Sequence, residues 1–328
     1  MNNTQGKSQT VTISQAVNMA MDEELARDPT VVLLGEDIRQ GVFRGTAGLV
    51  DTHGESRVRD SPISESALVG CAVGAAATGL RPIVEIMYSD FLGLAMDQIM
   101  NQAALMRYMF GGKIRLPLTI RTTEGGGIQT AAQHSKTLHH VFAGLPGIQV
   151  VCPATPAEAK GLLKAAIRSD NPVICFENKT LYHLKGEVPD DPDYVIPLGK
   201  AAVMREGDDV TVVATHTYVH KALEAAEQVE ASVEVINPRT LYPLDKETIL
   251  TSVRKTGRLI VADESPLSYG THAEIVALVV EGAFFDLDAP PKRIGVPDVP
   301  MPFSPLLEKE VLPQVEDIVA AIRKITGE

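Results

Sequence analysis

The chain has 328 residues, 45% of them hydrophobic and 22% charged, which is ordinary globular composition and enough length for two domains with substantial cores. Its 42 acidic residues against 30 basic ones give a formal charge of −12, and no long Lys/Arg run interrupts that balance, which argues against nucleic acid and anionic membrane as partners. No apolar run approaches the ~20 residues needed to span a bilayer. The polar start, MNNTQGKSQT, is unlike a signal peptide, and a cytoplasmic protein is expected. Cys71, Cys152 and Cys175 stand apart in apolar runs without the close spacing of a zinc site or redox pair, so buried reduced thiols are expected.

After the polar tail, Ala16, Val17, Ala20, Met21 and Leu25 recur at helical spacing, with Ser14 as the expected cap. The strand VVLLGED follows, and its end makes Glu36 and Asp37 candidates for a site or an interface, or simply a solvated strand end. GVFRGTAGLVDTHGESRV is glycine-rich and reads as a long loop. In DSPISESALVGCAVGAAATGL, Ser61 and Pro62 predict a helix start and Gly79 its end. Glu65 lies at the head of this apolar, small-residue helix. It is either the chemical centre of the chain or an acid that merely favours the positive end of its own helix. A second acid, Glu85, interrupts the strand RPIVEIMY, where a carboxylate is costly unless hydrogen-bonded and its pKa rises by desolvation.

Met87 and Phe91 lie just past the RPIVEI part of that run, suited to packing on a flat heterocycle or in the core. FLGLAMDQIMNQAALMRYMFG reads as one long helix, apolar nearly all round, whose internal Asp97, Gln98, Asn101 and Gln102 imply burial against another helix or subunit. TTEGGGIQTAAQHSKTLHH is loop-like. Gly125, Gly126 and Gly127 permit close ligand approach, although neither a dinucleotide fingerprint nor a P-loop is present. His134 sits beyond these glycines, placed to line a cleft or to satisfy loop backbone, and His139 and His140 have weaker claims. A strand, helix and strand then complete a βαβ unit through NPVICFE, and the alternation implies an α/β fold with a mainly parallel sheet.

Composition shifts to Pro and Asp across Tyr182–Lys200, which places a linker at 186–200 between domains at 8–185 and 201–328. The second domain is a smaller α/β unit. There Asp263 and Glu264 end a strand and His216 begins a helix, all read as surface or capping groups.

Taken together and in order, DSPISE, GLRPIVEIM, DFLGLAMDQIMNQAA, RYMFGGK, AAQHS, DNPVICFE and NPRTLYPLD resemble the beta subunit of the thiamine-diphosphate-dependent dehydrogenase of acetoin and 2-oxo-acid dehydrogenase complexes, from about Val11 to Ile325. The resemblance implies a transketolase-like pyrimidine-binding domain followed by a transketolase C-terminal domain. It implies that Glu65 hydrogen-bonds the aminopyrimidine of thiamine diphosphate and promotes the tautomer that removes the thiazolium proton. It further implies that Met87 and Phe91 pack on the pyrimidine, and that His134 transfers a proton or orients the acyl acceptor. A structural potassium held largely by main-chain carbonyls falls on Leu118, Ala166, Ser169 and Asn171, with Ser169 standing where relatives commonly carry Asp.

Thiamine enzymes hold the magnesium and diphosphate through a G-D-G segment and a later Asn-Asn; this chain has no G-D-G, and its Asn-Asn is Asn2-Asn3 in the tail. The resemblance therefore implies that an alpha subunit supplies those ligands in an α2β2 heterotetramer. That enzyme cleaves its substrate beside a carbonyl and passes a two-carbon unit to a lipoyl-bearing acyltransferase. Acetoin ranks first as substrate because RYMFGGK and TIRTTEGGG resemble acetoin dehydrogenases, with pyruvate or another 2-oxo acid as the alternative. A two-subunit transketolase and a non-catalytic scaffolding subunit are the more distant readings.

Overall fold

Thr12 ends strand β1 (Ser8–Thr12) and caps helix α1 (Ile13–Arg27) in the computed structural model, which describes residues 7–328. Its hydroxyl accepts from the Gln15 amide while the Gln15 side chain reaches back to the Thr12 amide, so the cap is Thr12 and not Ser14. The tail ahead of it, with Asn2-Asn3, lies outside the described residues. The residues at helical spacing, Ala16, Val17, Ala20, Met21 and Leu25, are buried in one core with Val31 and Leu33 of β2 (Val31–Gly35).

The chain then forms α2 (Leu49–His53), β3 (Val58–Asp60), α3 (Glu65–Ala77) and β4 (Arg81–Tyr88). After α4 (Met106–Met109) come β5 (Thr119–Glu124), α5 (His139–Ala143), β6 (Gln149–Val151), α6 (Pro156–Arg168), β7 (Val173–Asn178) and β8 (Lys185–Pro189). Two compact units share the chain. The first comprises residues through Thr123, Ala143–Glu177 and Leu181–Leu198; the second comprises Glu124–Phe142, Asn178–Thr180 and Gly199–Glu328.

In the first unit the sheet order is β6-β7-β5-β4-β2-β3, with parallel pairing of β2 to β3 and β4, of β4 to β5, and of β6 to β7. Parallel strands present their carboxyl ends on one edge, where open α/β sheets bind ligands. Several sequence expectations change here. The glycine-rich stretch contains the short α2, and the Pro- and Asp-rich segment contains β8, which pairs antiparallel with β1. The expected long helix is instead a 3₁₀ turn (Ser89–Ala95), a π-helical stretch (Gln98–Ala103) and α4. Asp97, Asn101 and Gln102 are exposed in this chain, and Asn101 Nδ2 donates to Asp97 at 2.7 Å. Among the thiols, Cys152 and Cys175 are buried, whereas Cys71 is exposed.

The second unit adds β9 (Ala202–Arg205), β10 (Val210–Ala214), α7 (Thr217–Ala226), β11 (Val233–Asn237), β12 (Thr240–Tyr242), α8 (Lys246–Thr256) and β13 (Leu259–Pro266). It closes with α9 (Thr271–Ala283), β14 (Lys292–Val296), α10 (Pro305–Val311) and α11 (Val315–Thr326). Its five-stranded sheet runs β14-β13-β10-β11-β9, parallel except for the antiparallel pairing of β9 to β11. Val213, Ile236, Val253, Leu259 and Val279 are packed into its core. Among the described residues, no helix is long and apolar enough to cross a membrane.

Candidate active site

Three parallel strands bring the first group of site residues to one sheet edge. Gly35, the last residue of β2, pairs with Asp60 of β3 on one side and with Glu85 of β4 on the other. A Cβ at Gly35 would lie 2.5 Å from Ile38 Cγ2, so the turn closes this tightly only around glycine. The connection after β3 is tied back by Ser61 N–H to Gly35 O at 2.9 Å, and α3 begins at Glu65 with Ser64 as its N-cap. The helix thus starts three residues later than the Ser61–Pro62 pattern predicts, which makes Glu65 its first residue.

Glu65 is 9% exposed. Among the described residues its carboxylate accepts no hydrogen bond and joins no ion pair; its compensation is the positive end of its own helix. Its charge is felt by Glu36, whose carboxyl is pushed up first by burial and then by Asp37 and Glu65. Helix α3 packs on β4 and on the Ser89–Ala95 turn, the elements that carry Met87 and Phe91. Both residues are half-buried, and the Phe91 ring meets Tyr88 edge-on at 5.7 Å. A buried carboxylate with open acceptor positions, next to a second acid that resists ionisation, suits a ligand that donates a proton or shares one.

Glu85 contrasts with it. The parallel register of β4 and β5 sets Glu85 beside Arg121, whose Nη1 donates to it. The same guanidinium forks onto Glu177 at 2.9 and 2.8 Å, and the Tyr182 hydroxyl donates to Glu177 at 2.6 Å. Burial pushes the Glu85 carboxyl up, as the sequence predicts, while Arg121 opposes the rise.

The carbonyls expected to hold an alkali metal are elsewhere in this unit, around the end of α6. Leu118 O accepts the Val173 amide (2.9 Å), Ala166 O the Ser169 amide (3.1 Å), Ser169 O the Arg81 Nη1 (3.0 Å) and Asn171 O the Ser169 hydroxyl (3.1 Å). Each carbonyl keeps a second lone pair, so acceptor capacity remains. The Arg81 guanidinium is already a cation at this position.

His134 belongs to the second unit, half-buried in the loop between β5 and α5. Glu124 closes the base of this loop, accepting from the amides of Leu138 (3.0 Å) and His139 (3.3 Å). His139 is fully buried between two acids, with Nδ1 at 2.5 Å from Glu124 and Nε2 at 3.1 Å from Asp263. Burial works against its charge, but Asp263 and Glu124 outweigh burial and hold the imidazole well above its ordinary range. Thr215 and Ser265 hydroxyls complete the shell of Asp263. Neighbouring His140 is driven down to about 4, by burial and then by the His139 charge. Glu264 is buried too and is raised to about 7, chiefly by desolvation; its Oε1 accepts the Gly126 amide at 2.5 Å. Gly125 has φ +91°, and a side chain there would run into Asn178 and Glu264.

Asp263, Glu264 and His216 are therefore interior groups, not the surface or capping groups the sequence predicts; His216 heads α7 without a side-chain cap bond. Sequence reasoning also passed over Arg121 and gave His139 little weight. The available signal was an acidic pair inside the apolar run RLIVADES, which burial makes costly without a cation.

The fold and this carboxylate-bearing sheet edge define a two-domain subunit of transketolase type. The family model "Transketolase, pyrimidine binding domain" matches residues 9–185 and "Transketolase, C-terminal domain" matches 199–318. The beta subunit of acetoin:2,6-dichlorophenolindophenol oxidoreductase of Bacillus subtilis is 47% identical over 335 residues, covering 97% of this chain and 98% of that one. The 2-oxoisovalerate dehydrogenase subunit beta of the same organism is 46% identical over 317 residues, covering 94% and 97%. A solved structure titled a split gene transketolase, inactive beta4 tetramer, matches with a TM-score of 0.78 and 26% identity over 97% of this chain and 98% of that one. The chain belongs to the transketolase-like family of beta subunits of acetoin and 2-oxo-acid dehydrogenases.

Proposed function

We propose that the chain is the beta subunit of a thiamine-diphosphate-dependent acetoin dehydrogenase, working with an alpha subunit and passing a two-carbon acyl unit to a lipoyl-bearing acyltransferase. The observation that carries this reading is Glu65, a buried carboxylate without a protein partner among the described residues. When bound, thiamine diphosphate supplies the carbanion chemistry of cleavage beside a carbonyl. Glu65 shares a proton with the aminopyrimidine ring nitrogen, and its buried position strengthens that hydrogen bond. Met87 and Phe91 pack against the pyrimidine face and exclude water from it. His134 orients the acyl acceptor and moves a proton to or from it.

The assembly is proposed as an α2β2 heterotetramer in which the alpha subunit holds magnesium and the diphosphate. The description of the split-gene transketolase beta4 tetramer as inactive agrees with a need for the second subunit. Within this chain the pyrimidine-binding domain is placed at 8–185, the linker at 186–200 and the C-terminal domain at 201–328. A structural potassium at the carbonyls of Leu118, Ala166, Ser169 and Asn171 belongs to the proposal and takes no part in the chemistry.

A 2-oxo acid such as pyruvate is the second reading for substrate, favoured by the near-equal identity to acetoin and 2-oxoisovalerate enzymes. The test is co-expression with the matching alpha subunit and dye reduction with acetoin, pyruvate and branched 2-oxo acids side by side. Acetoin-selective, thiamine-diphosphate-dependent reduction is expected. Preference for a 2-oxo acid moves the protein to the second reading, and full turnover by the beta chain alone overturns the heterotetramer.

A further inference from the structure

The loop that presents His134 is held in an unfavourable backbone shape. Gln129 (φ 54°) and Ala131 (φ 59°) both adopt the left-handed region, which L residues occupy at a cost and keep only where their surroundings impose it. The surroundings are three sets of bonds within the second unit. Glu124 closes the base of the loop, as described above. The carboxylate of Glu308, on α10, accepts the Gly127 amide at 2.8 Å and the Gln129 amide at 3.1 Å and fixes the first flank. At the far side, the ammonium of Lys179, a residue only 6% exposed, donates to the carbonyl oxygen of His134 itself. The Thr130 hydroxyl donates to the same carbonyl at 3.0 Å, lies 3.4 Å from Lys179 Nζ and bonds the Ser135 hydroxyl at 2.8 Å.

We propose that Lys179 is a positioning residue for His134, fixing the peptide that carries the imidazole by a charge-assisted bond to its carbonyl. This inference rests on the proposed role of His134 in acyl transfer. The chemistry favours a cation here. A backbone carbonyl accepts two hydrogen bonds, and one drawn from an ammonium in a poorly solvated place is stronger and more directional than one drawn from a neutral group. With that carbonyl clamped by Lys179 and Thr130, the two left-handed residues cannot relax toward ordinary backbone, and the histidine stays where the strained turn delivers it. Lys179 touches no reacting atom in this account. Its effect runs entirely through the placement of His134, where a displacement on the order of 1 Å costs up to about 10²-fold in rate.

The test uses the α–β complex and compares Lys179→Met, Lys179→Arg and Thr130→Val with the unaltered protein. Two reactions are read from the same preparations: dye reduction, which needs no lipoyl acceptor, and acylation of a lipoyl domain. Lys179→Met is expected to lose about 10- to 10²-fold in lipoyl acylation while dye reduction stays within roughly threefold. Lys179→Arg is expected to recover most of the loss, and Thr130→Val to show a smaller loss of the same selectivity. Hydrogen–deuterium exchange at residues 125–138 is expected to rise in Lys179→Met without a change in the rest of the second unit. Equal loss of both reactions, or no loss of either, overturns the proposal. Should Lys179→Met fail to fold, the Thr130→Val and Lys179→Arg pair decides by the same ratio. If the unaltered complex reduces no dye with any substrate, the proposed function fails instead, a result distinct from both.

Discussion

Glu65 and Glu85 lie twenty positions apart in one unit, both buried, and the protein treats them in opposite ways. Glu85 is bonded to Arg121, whose guanidinium also engages Glu177, so its charge is spent inside the fold. Among the described residues, Glu65 has only the head of α3 beneath it, and its acceptor positions stay open. The difference separates an acid that the fold satisfies from one that it leaves open, and the open one is the acid to which the proposal assigns the chemistry. A charge that neighbours satisfy contributes to the interior, whereas one left without a partner costs stability that a ligand can return.

The contrast is sharpest if substitutions at the two positions damage different properties. Glu65→Gln is expected to lower turnover of the α–β complex by about 10²- to 10⁴-fold, the range for a group that handles a proton in the transition state. Its urea unfolding midpoint should hold or rise slightly, because no native bond is lost. Arg121→Met should do the reverse in stability, costing on the order of 3–5 kcal/mol in urea unfolding because two buried carboxylates are left uncompensated. A loss of that size at Glu65 would break the comparison.

Glu264 extends the comparison to pH. Its folded value of about 7 lies above the ordinary 4.5, so the folded state holds a proton that the unfolded state has already released across that interval. Its contribution is therefore greatest below about pH 4.5 and falls as pH rises to about 7, by on the order of 3 kcal/mol. Unfolding of Glu264→Gln across this range should lack that fall, and a parallel pH profile for both proteins would contradict it. The smallest effect is expected at Phe91→Ala. Loss of a half-buried ring contact should weaken thiamine diphosphate binding to the complex about 3- to 10-fold by calorimetry, with little change in maximal rate.

The strand and helix order was legible because apolar runs and helical spacing are local properties. VVLLG, VICFE and VTVVA all became strands, the last two buried throughout, and Glu85 was marked as an acid needing a partner. The partner itself was not legible. Arg121 lies 36 residues further on, in the next strand of the chain, and only the parallel register sets it beside Glu85. Distance along the chain hid the second unit's cluster more completely, since 124 residues separate His139 from Asp263. The failed long helix has a different cause. Leu94, Met100, Met109 and Phe110 made the segment look apolar all round, yet all four are exposed in this chain, so burial did not enforce a single helical repeat. At the candidate site, motifs singled out Glu65, Met87 and Phe91 as candidates, but the openness of Glu65 among the described residues was not legible, because the absence of a partner is a property of the folded surroundings.

The most direct measurement is the exchange rate of the thiazolium C2 proton of thiamine diphosphate bound to the α–β complex, followed by NMR after quench in deuterated solvent, for the unaltered protein and Glu65→Gln. Rapid exchange is expected in the unaltered complex, with a slowing of about 10²-fold or more in the variant at equal cofactor occupancy. Equal exchange rates in the two would contradict it and return Glu65 to the role of an acid that only stabilises its helix.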